Sequence, residues 1–227
     1  MTTIPANLQA VRDRVAVACA AAGRNPAEVL LLAVSKTHPF ATLREAAACG
    51  QRAFGESYVQ EAMTKMGALA DLGLEWHFIG PLQSNKTRPV AESFDWVHGV
   101  DRLKIAERLS AQRPAGRPPL NVCVEVNLSG EASKAGCAPS EAAGLCRAVA
   151  GLPNLKLRGL MAIPEPTEES AAARRRFAAL RELRDAINRN GLGLDTLSMG
   201  MSHDLEAAIM EGATIVRVGT AIFGGRQ

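Results

Sequence analysis

Apolar residues recur along this chain with two alternating periods. Leu8, Val11, Val15, Ala18 and Ala22 fall at helical spacing, and Gly23 stands where such a helix would end. Beyond them, short apolar runs of strand length take turns with amphipathic stretches. The runs predict strands near 29–35, 52–55, 75–79, 96–99, 120–127, 157–163, 196–199 and 215–219. Helices are predicted to begin after Pro39, Glu56, Gln83, Val100, Pro139, Thr167 and Ser202. The longest has Phe177, Leu180, Leu183 and Ile187 as its apolar stripe and stops at Asn190 and Gly191. Glu168 and Glu169 are placed in its first turn, where carboxylates favour the positive end of the helix dipole.

Several of these strands are apolar throughout instead of alternating, which predicts burial on both faces and hence a parallel sheet covered by helices. Eight such strands favour a closed (β/α)8 TIM barrel, here with an extra N-terminal helix, over an open sheet. A chain of 227 residues is long enough for one such α/β unit. The Pro-rich stretch QRPAGRPP, residues 112–119, resembles a linker, but strand and helix alternate unchanged beyond it, so residues 1–227 read as a single domain.

Charge and cysteine content narrow the function classes. A formal net charge of +3 is too mild to imply nucleic acid. Arg174, Arg175 and Arg176 span about 200° of a helix surface and so form a solvated face, not a stripe. The five cysteines contain no CxxC pair and no metal-ligand spacing with the four histidines. An odd number without a secretory signal predicts reduced thiols in a cytoplasmic protein. No apolar run approaches the ~20 residues needed to cross a bilayer. The expectation is a soluble cytoplasmic protein without nucleic-acid or membrane partners.

Candidate chemistry sits at the strand ends, where this fold carries its sites. The first strand runs through VLLLAV directly into Ser35 and Lys36, and His38 and Pro39 then stop it. A lysine there either snorkels to solvent or is held at the barrel mouth, where it can form an imine. The seventh strand ends in LSMGMSHDLEAAI and the eighth in IVRVGTAIFGGR. Gly200 permits close backbone approach, and Ser202 offers a hydroxyl at a predicted helix N-terminus whose N–H groups favour an anion. Gly219 and Thr220 supply a second such turn. With Lys36 they describe a ligand bearing a phosphate at one end and a carbonyl at the other, which fits pyridoxal 5′-phosphate. Arg217 shares a strand face with Gly219. It can lie against a ring nitrogen, or pair inside the barrel with a carboxylate such as Glu125.

The motifs AVSKTHP, FGESYVQEA, WHFIGPLQSNK, VNLSGEASKAG, LRGLMAIP and LSMGMSHDLEAAIMEGATIVRVGTAIFG occur in that order. From Val29 to Gly224 the chain closely resembles the pyridoxal phosphate homeostasis protein family. The resemblance implies a barrel like the N-terminal domain of alanine racemase, with the cofactor held as an imine on Lys36. It further implies Arg217 at the ring nitrogen and Ser202, Gly219 and Thr220 at the phosphate, with Met199, Gly200 and Met201 shaping the loop. One departure is Ser57, where the family more often has asparagine.

The resemblance to alanine racemase raises an alternative, an amino-acid racemase or related enzyme. Racemisation needs bases on both faces of the substrate carbon, and Tyr58 is the one tyrosine present. An arginine at the ring nitrogen also makes the cofactor a poorer electron sink. The expected role is therefore binding, buffering and delivery of the cofactor, with PLP-dependent apoenzymes as recipients, without strong catalysis, by a monomer. His77 can be an acid or base or a structural residue, and Lys86 a second imine lysine or a solvated one. A cofactor-free barrel whose lysine forms an imine with a sugar phosphate, as in class I aldolases, leaves Arg217 without a task.

Overall fold

The computed structural model describes residues 3–129, 135–165, 167 and 169–225. Its N-terminal helix α1, Ile4–Ala21, starts at Thr3, whose hydroxyl accepts from the Ala6 N–H at 3.4 Å, and stops before Gly23 in the left-handed region at φ 65°. Leu8, Val11, Val15, Ala18 and Cys19 form its buried stripe.

Eight strands follow: β1 Leu30–Val34, β2 Ala53–Glu56, β3 Glu75–Phe78, β4 Trp96–Val100, β5 Leu120–Glu125, β6 Leu155–Met161, β7 Thr196–Ser198 and β8 Ile215–Val218. All neighbours are parallel, and β1 pairs with β8 from Leu30↔Ile215 to Ala33↔Val218, which closes the barrel. The helices between them are α2 Phe40–Ala48, α3 Val59–Ala68, α4 Thr87–Ser93, α5 Leu103–Gln112, α6 Pro139–Ala150, α7 Ser170–Asn188 and α8 Leu205–Met210, and α9 Thr220–Phe223 follows β8. The expected TIM barrel with its extra N-terminal helix is what the chain forms. No helix among the described residues is long and apolar enough to cross a membrane.

The period-2 geometry of a strand sorts side chains between two cores. Ala33, Val216 and Val218 join the large outer core between sheet and helices. Leu32, Ala53, Trp96, Cys123, Met161 and Ile215 pack together inside the barrel. Two positions on from Leu32 is Val34, and two further is Lys36, so the inward face of the first strand delivers the lysine to the mouth. By the same alternation Ile215, Arg217 and Gly219 share the inward face of β8, as the sequence predicts. Gly159 marks the tightest strand contact, since a Cβ there would lie 1.8 Å from the Thr196 carbonyl oxygen on β7.

Several boundaries move. Ser170 opens α7, with Glu169 at its N-cap, so Glu169 precedes the first turn, and Glu168 lies outside the described residues. After Gln83 the chain first makes a 3-10 turn, Ser84–Lys86, because Thr87 is where the apolar stripe Val90, Ala91 begins. The helix expected directly after Ser202 is short and starts at Leu205 instead. Arg174, Arg175 and Arg176 splay apart, to Glu211, Glu169 and Glu165 respectively. All five thiols are free, and burial raises Cys123 and Cys146 to about 12, which keeps both protonated.

Candidate functional site

At the C-terminal mouth of the barrel, a cavity of about 230 Å³ is lined by Lys36, Met201, Ser202, Arg217, Gly219 and Thr220, with Val34, His38, Ile79 and Ile163 among its other walls. Six of the eight residues singled out in the sequence thus meet in one place. The other two act from behind. Met199 is fully buried in the outer core. Gly200 is left-handed at φ 92°, and a Cβ on it would lie 2.5 Å from that of Ala208. Its carbonyl accepts from the Arg217 N–H at 2.9 Å, which docks the loop after β7 on β8.

The loops themselves are braced by α1. Arg14 donates to the Ser202 carbonyl at 3.0 Å and pairs with Glu206 at 2.7 Å, while Asn7 donates to the Ile222 carbonyl at 3.0 Å. The Ser202 hydroxyl accepts from the Ala221 N–H at 3.4 Å, joining the two loops directly. Ser202 does not cap a helix, because α8 begins three residues later. The Met201 N–H, which helix capping would have left for an anion, is bonded to Asp204 Oδ1 at 2.6 Å. Asp204, a short acidic side chain two residues past Ser202, competes locally for the backbone and delays the helix.

The peptide around Lys36 is held by a buried ionic cluster that sequence reasoning missed. Lys65 on α3 donates to the Ser35 carbonyl at 2.7 Å, to Glu56 at 2.7 Å and to Glu61 at 2.6 Å. The Ser35 hydroxyl bonds Glu56 at 2.6 Å, and the Thr37 N–H bonds Glu61 at 2.6 Å. Thr37 itself sits at φ 68°, a conformation costly for a β-branched residue, so both neighbours of Lys36 are pinned. Glu61 and Lys65 stand at i and i+4 in the sequence, which was the available signal.

Arg217 is almost fully buried. Its Nη1 donates to the Ser198 carbonyl at 2.6 Å and hydroxyl at 2.7 Å, and its Nη2 to the Ala162 carbonyl at 3.0 Å. The alternative pairing with Glu125 is not formed. Burial lowers Arg217 to about 10 and raises Glu125 to about 7, so the arginine stays cationic at neutral pH. His38, whose ring lies 5.1 Å from that of Phe223, is pulled below its ordinary value first by burial and then by the Lys65 charge.

His77 is fully buried within the barrel and lines no part of this cavity, which excludes it as an acid or base here. Lys86 is exposed and lines an adjoining cavity of about 670 Å³ together with Lys36, Ser57, Tyr58 and Arg102. A larger hollow of about 770 Å³ opens at the opposite, N-terminal mouth, walled by Glu75, Trp96, Arg158 and Asp195 and containing no lysine. A lysine amine is therefore offered at the C-terminal mouth, and no group of metal-ligating side chains occurs among the described residues.

Residues 6–227 match the family described as alanine racemase, N-terminal domain. A pyridoxal phosphate homeostasis protein of Pseudomonas aeruginosa is 67% identical over the whole chain and 97% of its own length. The chain belongs to the pyridoxal phosphate homeostasis protein family. Its relative from Escherichia coli K12 is 53% identical over the whole chain and 98% of that protein. Among solved structures, PipY of Synechococcus elongatus with PLP bound is 42% identical, covers 92% of this chain and 100% of its own, and superposes with a TM-score of 0.82. Alanine racemase from Corynebacterium glutamicum covers 96% of this chain and 62% of its own with a TM-score of 0.70. At 20% identity it shows a shared fold alone.

Proposed function

We propose that this homeostasis-family chain binds pyridoxal 5′-phosphate through Lys36 and serves cytoplasmic vitamin B6 homeostasis as a monomeric carrier, delivering the cofactor to PLP-dependent apoenzymes. The observation that carries the reading is the convergence of a lysine, a buried arginine and two hydroxyl-bearing loops on one cavity. The family's name and the PLP bound to PipY support it.

The residues fit the group. When bound, pyridoxal phosphate supplies an aldehyde for a lysine amine and an electron-withdrawing ring. Lys36 is oriented by the clamp on Ser35 and Thr37. Ser202, Gly219 and Thr220 hold the phosphate. Gly219 packs closely there, since a Cβ added to it would lie only 3.0 Å from the Val34 carbonyl oxygen. Arg217 presents its cation to the ring nitrogen. Tyr58 lies 55% exposed in the adjoining cavity and not in this one, so no tyrosine faces the bound ring as a second base, which favours a carrier over a racemase.

The test is borohydride reduction of the protein loaded with pyridoxal phosphate, expected to be yellow, followed by peptide mapping. The pyridoxyl label is expected on Lys36, and a label mainly on Lys86 overturns the assignment. Losing one such bond to a charged group should weaken retention of the phosphorylated form by roughly 1.5–3 kcal/mol, about tenfold or more, so Ser202→Ala combined with Thr220→Val is expected to weaken it about a hundredfold or more. Equilibrium dialysis against pyridoxal and its phosphate checks this, with preference for the phosphate lost in the variant.

A further inference from the structure

The interior of the barrel contains an unbroken line of polar side chains that neither the sequence motifs nor the family comparison explain. From Arg217 Nη1 it passes to Ser198 Oγ at 2.7 Å, from Ser198 Oγ to His98 Nδ1 at 2.7 Å, from His98 Nε2 to His77 Nδ1 at 2.9 Å, and from His77 Nε2 to Glu75 Oε1 at 2.6 Å. Ser198 and both histidines are completely buried. Glu75 is half-exposed in the hollow at the N-terminal mouth, so the line connects the two ends of the barrel.

Its polarity follows from the two end groups. An ionised Glu75 can only accept, so a neutral His77 and then a neutral His98 carry their protons on Nε2, and Ser198, whose Oγ accepts from Arg217, gives its own proton to His98 Nδ1. Burial holds both imidazoles below their ordinary values, against the opposing bond to Glu75 at His77 and with the Arg217 charge adding to the effect at His98. A neutral His98 accepting at Nδ1 carries its proton on Nε2 and donates to His77 Nδ1. His77 then carries its proton on Nε2 and donates to the Glu75 carboxylate. Every donor points from the cation towards the anion, and hydrogen bonds so aligned polarise one another. The other charge acting on His77 is Asp95, while Trp96 stacks on its ring at 5.3 Å and 7°.

We propose that Glu75, His77, His98 and Ser198 are positioning residues of the cofactor site, forming a relay through which a carboxylate at the N-terminal mouth sets how strongly Arg217 donates to the cofactor ring. The proposal rests on Arg217 facing the ring nitrogen, as proposed above. Ionised Glu75 draws the chain of donors towards itself, makes Ser198 Oγ a better acceptor, and holds guanidinium charge away from the ring. Neutralising Glu75 releases that charge, strengthens the donor at the ring nitrogen and makes the bound lysine nitrogen less basic.

Two measurements test it. In the cofactor-free protein, nitrogen-15 NMR of the histidine side chains is expected to show His77 and His98 neutral and protonated on Nε2 at pH 7; a proton on Nδ1 of either, or an imidazolium, overturns the relay. In the cofactor-loaded protein, Glu75→Gln is expected to lower the pH midpoint of the visible band by a few tenths of a unit or more. That shift should vanish in a Ser198→Ala background, where the line is cut and Arg217 keeps its bond to the Ser198 carbonyl. A shift that persists in Ser198→Ala is a through-space field and overturns the relay, as does an unmoved midpoint. A wild-type protein that develops no band with pyridoxal phosphate overturns the cofactor reading instead, and is distinguished from relay failure by that absence.

Discussion

Gly159→Ala is expected to leave little folded protein. The added carbon would stand 1.8 Å from the Thr196 carbonyl oxygen and 2.6 Å from its carbon, and both are backbone, so no side-chain rotation relieves the collision. Gly159 pairs with Thr196 where β6 meets β7, in a closed sheet that cannot open at one seam without disturbing its other pairs. The cost should be on the order of 4 kcal/mol or more, at the extreme of single substitutions and a large part of the 5–15 kcal/mol that holds a typical domain together. Gly144→Ala is the control. Gly144 is exposed on α6 with nothing within 4 Å of an added carbon, and alanine there should stabilise by about 0.5–1 kcal/mol. Urea denaturation of the pair should move the midpoints in opposite directions; a Gly159→Ala protein as stable as wild type would show that β6 and β7 are not so closely paired.

Lys65→Met is expected to cost about 3–5 kcal/mol, the usual loss when one member of a buried ionic group is removed. Lys65 is 4% exposed and Glu56 fully buried, so nothing replaces the ammonium, and Glu56 Oε2 already lacks a hydrogen-bond partner. The loss should depend on pH in a defined sense. Burial already pushes the Glu56 carboxyl above its ordinary value, and the bonds from Lys65 and Ser35 oppose that rise. Removing Lys65 deletes the leading opposition, so folded Glu56 binds a proton more readily than unfolded Glu56. A group of that kind adds stability at low pH and loses it as pH rises through the folded-state pKa. The deficit against wild type should therefore widen from about pH 4, near the unfolded carboxyl value, towards neutrality. Denaturation at several pH values checks this. A constant deficit would show that Lys65 contributes by packing alone. Because the same ammonium holds the Ser35 carbonyl, the variant should also form the yellow species more slowly at Lys36 under conditions where it remains folded.

Which parts of this were readable in the chain follows from the range of the interactions involved. The eight strands were legible because burial on both faces writes itself as uninterrupted apolar runs, as in Leu30–Val34. The face shared by Arg217 and Gly219 was legible because strand alternation is local. Ser202 was correctly placed at the cavity yet wrongly placed at a helix start, since Asp204 takes the Met201 N–H by a bond that spacing alone does not reveal. The Lys65 cluster was missed for a different reason, although the i and i+4 spacing of Glu61 and Lys65 hinted at part of it. It joins Ser35, Glu56 and Lys65 across three separate elements, and a lysine on an amphipathic helix ordinarily reads as a surface residue. His98 and Ser198 lie 100 positions apart and meet only after the barrel closes. Nothing short of the strand order brings them together.

Closure between the first and last strands also sets when the cavity comes into existence. Lys36 follows β1, whereas Arg217 and Gly219 arrive with β8, and the cavity has no floor until Leu30–Val34 pairs with Ile215–Val218. At a synthesis rate of roughly 5–20 residues per second, about 10–40 s separate the emergence of the lysine from that of its partners. During that interval a nascent chain carries Lys36 without the pocket proposed to retain an aldehyde on it. On the proposed binding mode, capture of the cofactor is thus coupled to the arrival of β8, and a ligand that bridges β1 and β8 will preferentially stabilise chains in which the two have paired.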